Sequence, residues 1–476
     1  MKTASTRWGI TTLLVILLTL PRTTLGITIR EEEELSKKVL AIVDRQFNVI
    51  EDPIITKYIN RLGQSMIKAI PPQPFTYHFY VIEEDVYNAF ATPAGHVFFN
   101  SGLIAALNNE AELAGIMGHE IAHVTNRHIS RKIEHAKKMQ LATLAGMAAG
   151  ALLGLGGAGA AAQALTIGSA AAGQSAMLAY SRENELEADE TGLGILTKSG
   201  FSGDGLLSGL KIIRSKQWFG SEQFPTYLST HPASEERIAN LANWIEMEGK
   251  NSAPAPGFAP EIFRLVQTRI IALYGDKTVA ANRFAAAVRD NPEDPMNQYG
   301  YGLILGRTGN RKKAIEHLKM ALEKRAFDPY ILTDLGKVYY FDGRFEDALK
   351  TLDGALSLDP HYPEAVYYSG RTYIETGDFA KAISLLEPLV RKSSGYTTAY
   401  YALGEAYGKQ NRMGDAHYYL GLFYWNRKDA KNAAFHLRRA SKMVSDKDKL
   451  KNIEKMLRVF NKKAREAAES EGKKPG

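Results

Sequence analysis

His119-Glu120-Ile121-Ala122-His123, set inside the amphipathic run from Asn108 to His128, decides how the first half of this chain is read. Residues four apart share one face of an α-helix, so His119 and His123 present two imidazoles to a common point. Two nitrogen donors at that spacing suit a tetrahedral Zn²⁺. Glu120 lies beside them, placed to take a proton from activated water rather than to bind the ion. A catalytic zinc also needs a third protein ligand and an open fourth position. Ser181-Arg182-Glu183-Asn184-Glu185-Leu186-Glu187-Ala188-Asp189 supplies candidates on a predicted helix. Glu185 and Asp189 are again four apart, so one can reach the metal while the other orients a ligand imidazole. An acidic helix face is usually just solvated; this one gains meaning from the HExxH upstream. His128 competes for the third place. It falls five residues after His123 on what reads as a continuing helix, without the glycine turn of the three-histidine motif, and it reads as structural.

Ahead of the metal motif, Leu35 to Ile70 carries apolar residues at helical spacing. Asp52-Pro53 splits it into two helices, because proline begins helices and is excluded from their interiors. Tyr77-His78-Phe79-Tyr80-Val81-Ile82 and His96-Val97-Phe98-Phe99 are aromatic and β-branched and read as strands. Ala91-Thr92-Pro93-Ala94-Gly95 between them is a turn or a strand entry. The strand His96–Phe99 is expected to pair with the backbone of a bound peptide. From Leu141 to Met177 there is no charged residue. Two readings stay open there: small-residue helices packed in the domain, or a segment that touches a membrane surface or covers the site. Gly154, Gly156, Gly157 and Gly159 argue against a spanning helix.

The second half repeats. Asn251-Ser252-Ala253-Pro254-Ala255-Pro256-Gly257 is a linker by composition, placed at 251–260. Beyond it Gly302, Gly336, Gly370 and Gly404 recur every 34 residues, as do Ala314, Ala348, Ala382 and Ala416, and Leu318, Leu352, Leu386 and Leu420. Three series in one 34-residue register are the signature of tetratricopeptide helix pairs, with small residues where the paired helices approach most closely. A weaker unit precedes them around Ala280, Phe284, Ala287 and Pro292. A half-shifted one follows at Gly421, Tyr424, Ala433, Leu437 and Ala440, so the last helices can be paired in two ways. Residues 261–445 are therefore expected to form an all-α solenoid whose concave face holds a protein partner. Residues 446–476, with ten lysines and arginines against six acidic residues, are expected to be a flexible charged tail.

The totals bound the rest. The 476 residues suffice for more than one core, and 45% hydrophobic with 23% charged is the make-up of a folded protein. Cysteine is absent, which excludes disulfides, thiolate ligands and thiol nucleophiles, so any metal rests on His, Asp and Glu. Lys2 and Arg7, the apolar run Ile10 to Leu20 and the small residues of Thr24-Leu25-Gly26 form a cleavable export signal over 1–26, which implies the periplasm. The net charge of +7 loses Lys2, Arg7 and Arg22 with the signal, and most of the remainder sits in the tail. The body is nearly neutral and offers no basic face to nucleic acid.

At this point the chain resembles a known family: the zinc metallopeptidases that include the heat-shock protease HtpX and the CAAX prenyl protease. It is similar to the periplasmic members with C-terminal tetratricopeptide repeats. The matching elements are Asn88-Ala89-Phe90-Ala91-Thr92-Pro93, His119 to His123, Glu185 to Asp189, and Thr230-His231-Pro232 followed by Arg237. The resemblance implies an α+β zincin-like domain, mostly helical with a small sheet, over 27–250. It implies one Zn²⁺ per chain on His119, His123 and Glu185, with Glu120 catalytic and Asp189 behind the ligands. His231 would lie near the metal, stabilising the transition state or filling the open position at rest; Arg237 would assist the oxyanion or pin its loop. Ala94 stands where the family usually has glycine. Implied substrates are unfolded or misassembled envelope proteins, and the implied partner of the repeats is the outer-membrane assembly machinery. The competing reading is a tetratricopeptide scaffold or chaperone whose zinc domain is inactive or rarely open.

Overall fold

The computed structural model describes residues 27–132, 134, 182–218, 231, 234–248, 260–393 and 395–471. The expected export signal, the uncharged segment 141–177 and nearly all of the expected linker lie outside the described residues. The chain divides into two units, Met1–Ile50 with Thr56–Phe263, and Glu51–Ile55 with Arg264–Gly476. The division falls after Phe263, and five residues from the first half join the second unit.

Thr28 starts helix α1 (Ile29–Gln46) with a capping box, its hydroxyl accepting from Glu31 N while the Glu31 carboxylate accepts from Thr28 N. Helix α2 (Pro53–Ile67) begins at the predicted proline, and Asp52 Oδ1 accepts from the N–H groups of Ile54 and Ile55. Three strands follow: β1 (His78–Ile82), β2 (Ala89–Thr92) and β3 (His96–Asn100). They lie in the order β1-β3-β2, with β1 parallel and β2 antiparallel to β3. Alternation assigns the faces. Tyr80, Ile82, Phe90 and Phe98 meet Val39, Leu40 and Val43 of α1, while Phe79, Val81, Val97 and Phe99 are fully buried. The expectation that the His96–Phe99 strand pairs with a peptide is corrected here. It is the central strand, with both edges already bonded; β2 is the edge strand nearest the metal motif. The turn from β2 to β3 holds Ala94 at φ 63 and Gly95 at φ 88, the left-handed pair of a tight hairpin.

The metal motif lies on α4 (Glu110–Thr125), after the short α3 (Ser101–Ala106). A short helical stretch at 128–132 follows, and then helices α5 (182–198), α6 (Asp204–Trp218) and α7 (Glu235–Glu248). No described helix is long and apolar enough to cross a membrane.

The second unit is a succession of paired helices from Arg264 onward. Asp294-Pro295 and Asp328-Pro329 start two of them alike: the aspartate accepts from the N2 and N3 amides while proline takes N1. The 34-residue glycines are contact points, since a Cβ at Gly302, Gly336, Gly370 or Gly404 would meet the leucine of its own unit at 2.6–2.8 Å. Gly421 meets Leu437 in the same way. The helix Met413–Asn426 therefore carries a leucine lock on one partner and a glycine lock on the next, so both pairings foreseen for the last helices coexist. Within this unit, fully buried Arg269 donates to Asp52 at 2.7 and 3.0 Å and to Asp334 at 2.5 Å. The expected flexible tail is corrected to a helix, Lys447–Glu471. Ile453 and Met456 are buried against the preceding helices, and Trp425 meets Phe460 edge-on at 5.0 Å. Charge hid the apolar spacing that docks it.

Candidate metal centre

Helix α4 is buried on nearly every side, so its polar residues must find partners inside the protein. Asn109 caps it by accepting from Glu112 N, and Glu110 and Glu112 stand at its positive end. It also packs against α5, and glycine makes that approach possible. A Cβ on Gly118 would lie 2.9 Å from Gly192 O, and one on Gly192 would lie 2.9 Å from His119 Cα and N. Backbone against backbone at this point brings the acidic face of α5 onto the two histidines.

His119 Nε2 and His123 Nε2 lie 3.1 Å apart. Glu185 Oε2 is 3.5 Å from the first and Glu185 Oε1 is 3.5 Å from the second. Ligands about 2.0–2.1 Å from a tetrahedral ion sit about 3.3–3.4 Å from one another, and these separations bracket that edge. His231 joins the cluster, with Nδ1 3.0 and 3.1 Å from the Glu185 oxygens. One donor atom each from His119, His123, Glu185 and His231 falls within 4.8 Å of all the others, and all four residues are buried. The Glu120 carboxylate is fully buried beside them without a hydrogen bond, 3.7 Å from His231 Nε2. A hydrophilic donor set and an unsatisfied carboxylate in a dry pocket fit a metal with water beside it.

Behind the donors stands a second layer. Asp189 Oδ1 is 3.0 Å from His119 Nδ1, leaving Nε2 to face the cluster. Arg237 forks onto Asp189 with two 2.7 Å bonds and reaches Glu185 Oε2 at 2.8 Å. The guanidinium of Arg237 is thus directed at the two carboxylates. Burial alone would depress His119, but Asp189 and Glu185 overcome it and hold the imidazole up at about 9. Burial and the neighbouring imidazoles push His123 well below its ordinary value. Burial opposes charge on Glu185 too, yet His231 and His119 keep it far below the usual carboxylate range. Asp189 is likewise lowered against burial by Arg237 and His119.

His128 departs from its expected place. The helix does not continue to it; α4 ends at Thr125, Asn126 caps it, and Arg127 turns the chain at φ 53. His128 then folds back so that its Nδ1 lies 2.9 Å from His123 Nδ1. Its Nε2 is 3.3 Å from Glu187, which Arg131 holds at 2.6 Å. His123 thus has a backing imidazole as His119 has a backing carboxylate. Asparagine is a common helix terminator, and that signal at Asn126 was there to be read. No spacing rule pointed to Gly118 and Gly192. Thr230 and Pro232, which flank His231 in the motif, lie outside the described residues.

Residues 53–245 match the model of Peptidase family M48, and 275–329 and 342–395 match models of the tetratricopeptide repeat. The chain is similar to the Beta-barrel assembly-enhancing protease of Escherichia coli, 28% identical over 298 residues, which are 62% of this chain and 58% of that one. A Putative beta-barrel assembly-enhancing protease of Vibrio cholerae is 34% identical over 263 residues, 54% of this chain and 52% of its own. The Mitochondrial metalloendopeptidase OMA1 of Schizosaccharomyces pombe is 25% identical over 198 residues, 40% of this chain and 53% of its own. The chain spans a little over half the length of these relatives.

Proposed function

Because the chain carries a peptidase family M48 domain with tetratricopeptide repeats behind it, we propose that it is a zinc-dependent endopeptidase of the cell envelope. The observation that carries this reading is the buried quartet of His119, His123, Glu185 and His231 with the unsatisfied Glu120 carboxylate against it. Two imidazoles and one carboxylate, without any thiolate, are the donor set of a catalytic zinc. Such an ion supplies Lewis acidity, activating water near neutral pH and polarising the scissile carbonyl.

The chain's own residues do the rest. Asp189 fixes the tautomer of His119, His128 fixes the ring of His123, and Arg237 holds Glu185 in its orientation. Glu120 accepts the proton of the attacking water and delivers it to the leaving amine. The free edge of β2, Ala89–Thr92, binds substrate backbone as an added strand, which gives affinity with little sequence preference. His231 would complete a four-donor set with His119, His123 and Glu185 at rest and would give up its place when substrate binds. This closure also keeps the scaffold reading in play, as a zinc domain that opens rarely.

The pattern of residues 1–26 supports export to the periplasm. The names of the relatives support a role in the assembly and quality control of outer-membrane β-barrel proteins, with unfolded or misassembled envelope proteins as substrates. The repeats then dock protein partners, among them the outer-membrane assembly machinery, and peripheral membrane contact belongs to the same setting.

Glu120→Gln is the test. It should retain the metal and lose cleavage of an unfolded protein by roughly 10²–10⁴-fold. A Glu120→Gln chain that still cleaves would remove Glu120 from the reaction. If it complements a deletion strain fully, the scaffold reading replaces the peptidase.

A further inference from the structure

Ile27 is anchored on every side. Its side chain is 7% exposed, its N–H donates to Glu134 Oε1 at 2.5 Å, and its carbonyl accepts from Arg127 Nη2 at 2.5 Å. Thr28 next to it is locked into the capping box of α1. Arg127 also donates through Nε to Glu32 Oε1 at 2.7 Å, and Glu32 is itself buried. This arginine occupies the left-handed turn that ends α4, immediately before His128, which backs the ligand His123. A left-handed backbone is unfavourable for arginine, and what its guanidinium grips accounts for its presence there. Ile27, Glu32, Arg127 and Glu134 thus form one clamp on the turn behind the metal helix.

The clamp has a charge to balance. Among the described residues, no Lys, Arg or His side chain pairs with Glu134; its partner is the nitrogen of Ile27. A peptide N–H offers that carboxylate a dipole, whereas an α-ammonium would offer a full charge, and charge-assisted hydrogen bonds are roughly twice as strong. Ile27 also follows Thr24-Leu25-Gly26, which puts small residues, Thr24 and Gly26, at the positions that decide where an export signal would be cut.

We propose that hydrolysis of the Gly26–Ile27 bond makes Ile27 the mature amino terminus, and that its α-ammonium is a fixed part of the metal domain, paired with Glu134. An envelope signal peptidase supplies the catalysis and water is the co-reactant. Its hydroxyl completes the Gly26 carboxyl group that leaves with residues 1–26, and the freed nitrogen takes up the protons that make it an ammonium. The charge strengthens a clamp whose contacts the unprocessed chain already makes, so processing tightens the seating of the metal helix. This inference rests on the export reading and is independent of the peptidase reading.

The test compares full-length mature chains that begin at Ile27, released from a fusion that leaves no extra residue, with chains that retain Gly26 in front. Amino-terminal sequencing of the exported protein should find Ile27; any other first residue overturns the proposal at its premise. A neighbouring carboxylate raises an amine's pKa by about one unit or more, so reductive methylation of the Ile27 amine should run about tenfold slower than that of the Gly26 amine. The Gly26 chain should melt about 2–4 °C lower. Glu134→Gln should abolish that difference and Glu134→Asp should keep part of it. Equal labelling rates, or equal melting of the two chains with Glu134 intact, would overturn the clamp. None of these readouts involves substrate cleavage, so the clamp can fail while the peptidase stands.

Discussion

The two imidazoles proposed to hold the metal differ in what stands behind them. A carboxylate backs His119 and raises it, whereas His123, with a third imidazole behind it, is lowered chiefly by burial. Removing such a backing group typically costs 10–100-fold in metal affinity, so His128→Ala should weaken zinc about that much in competition with a chelator. An unchanged affinity would return His128 to a purely structural role. Ala94 makes a second prediction. Its φ of 63 suits glycine, and a left-handed non-glycine residue carries about 1–3 kcal/mol of strain. Ala94→Gly should therefore stabilise the domain by a net amount of about 1 kcal/mol after glycine's larger entropy loss, read as a higher melting temperature. His119, Glu120 and His123 were legible because one helical turn carries the whole message. The contact of His128 with His123 was not, since it depends on a chain reversal at Arg127 that an assumed continuous helix concealed.

Elements meet where side chains are missing. Gly118 and Gly192 let α4 and α5 touch through their backbones, and this contact delivers Glu185 and Asp189 to the histidines. Gly192→Ala puts a methyl group against the His119 backbone, where no flexible side chain can give way. The expected outcome is destabilisation by about 1–3 kcal/mol together with loss of metal affinity, read by thermal melting and by chelator competition. Stability lost without any change in metal affinity would separate the helix contact from the site. The meeting of α4 and α5 joins residues far apart in sequence, so no local spacing announced it; the resemblance of motifs did. The repeats were legible for the opposite reason, as each glycine and its leucine lie within one 34-residue unit. Whether Ala91-Thr92 begins a turn or a strand stayed open, because Ala89–Thr92 has few β-branched residues and runs straight into Pro93; it is the end of β2. The final helix was masked by lysines, although Leu450, Ile453, Leu457 and Phe460 keep helical spacing.

On the scale of the whole molecule the centre should govern how stability depends on pH. In the metal-free protein His119 is raised from 6.5 to about 9. Its stabilising proton is fully held below pH 6.5 and is lost as the pH climbs through 9. His123 is shifted downward and acts only below pH 6.5, and the lowered Glu185 and Asp189 act in acid. The metal-stripped chain should therefore lose stability between pH 6.5 and 9, on the order of a few kcal/mol. The metal-loaded chain, whose ion takes the place of that proton, should not. Parallel melting curves for the two forms across this window would rule the account out. Its central claim is that a single ion joins α4 and α5 through His119, His123 and Glu185. The most direct measurement is elemental analysis of the purified protein and of its Glu185→Ala variant by plasma mass spectrometry. About one zinc per chain in the former and a small fraction of that in the latter is the predicted result; no stoichiometric metal in the unmodified protein would contradict it.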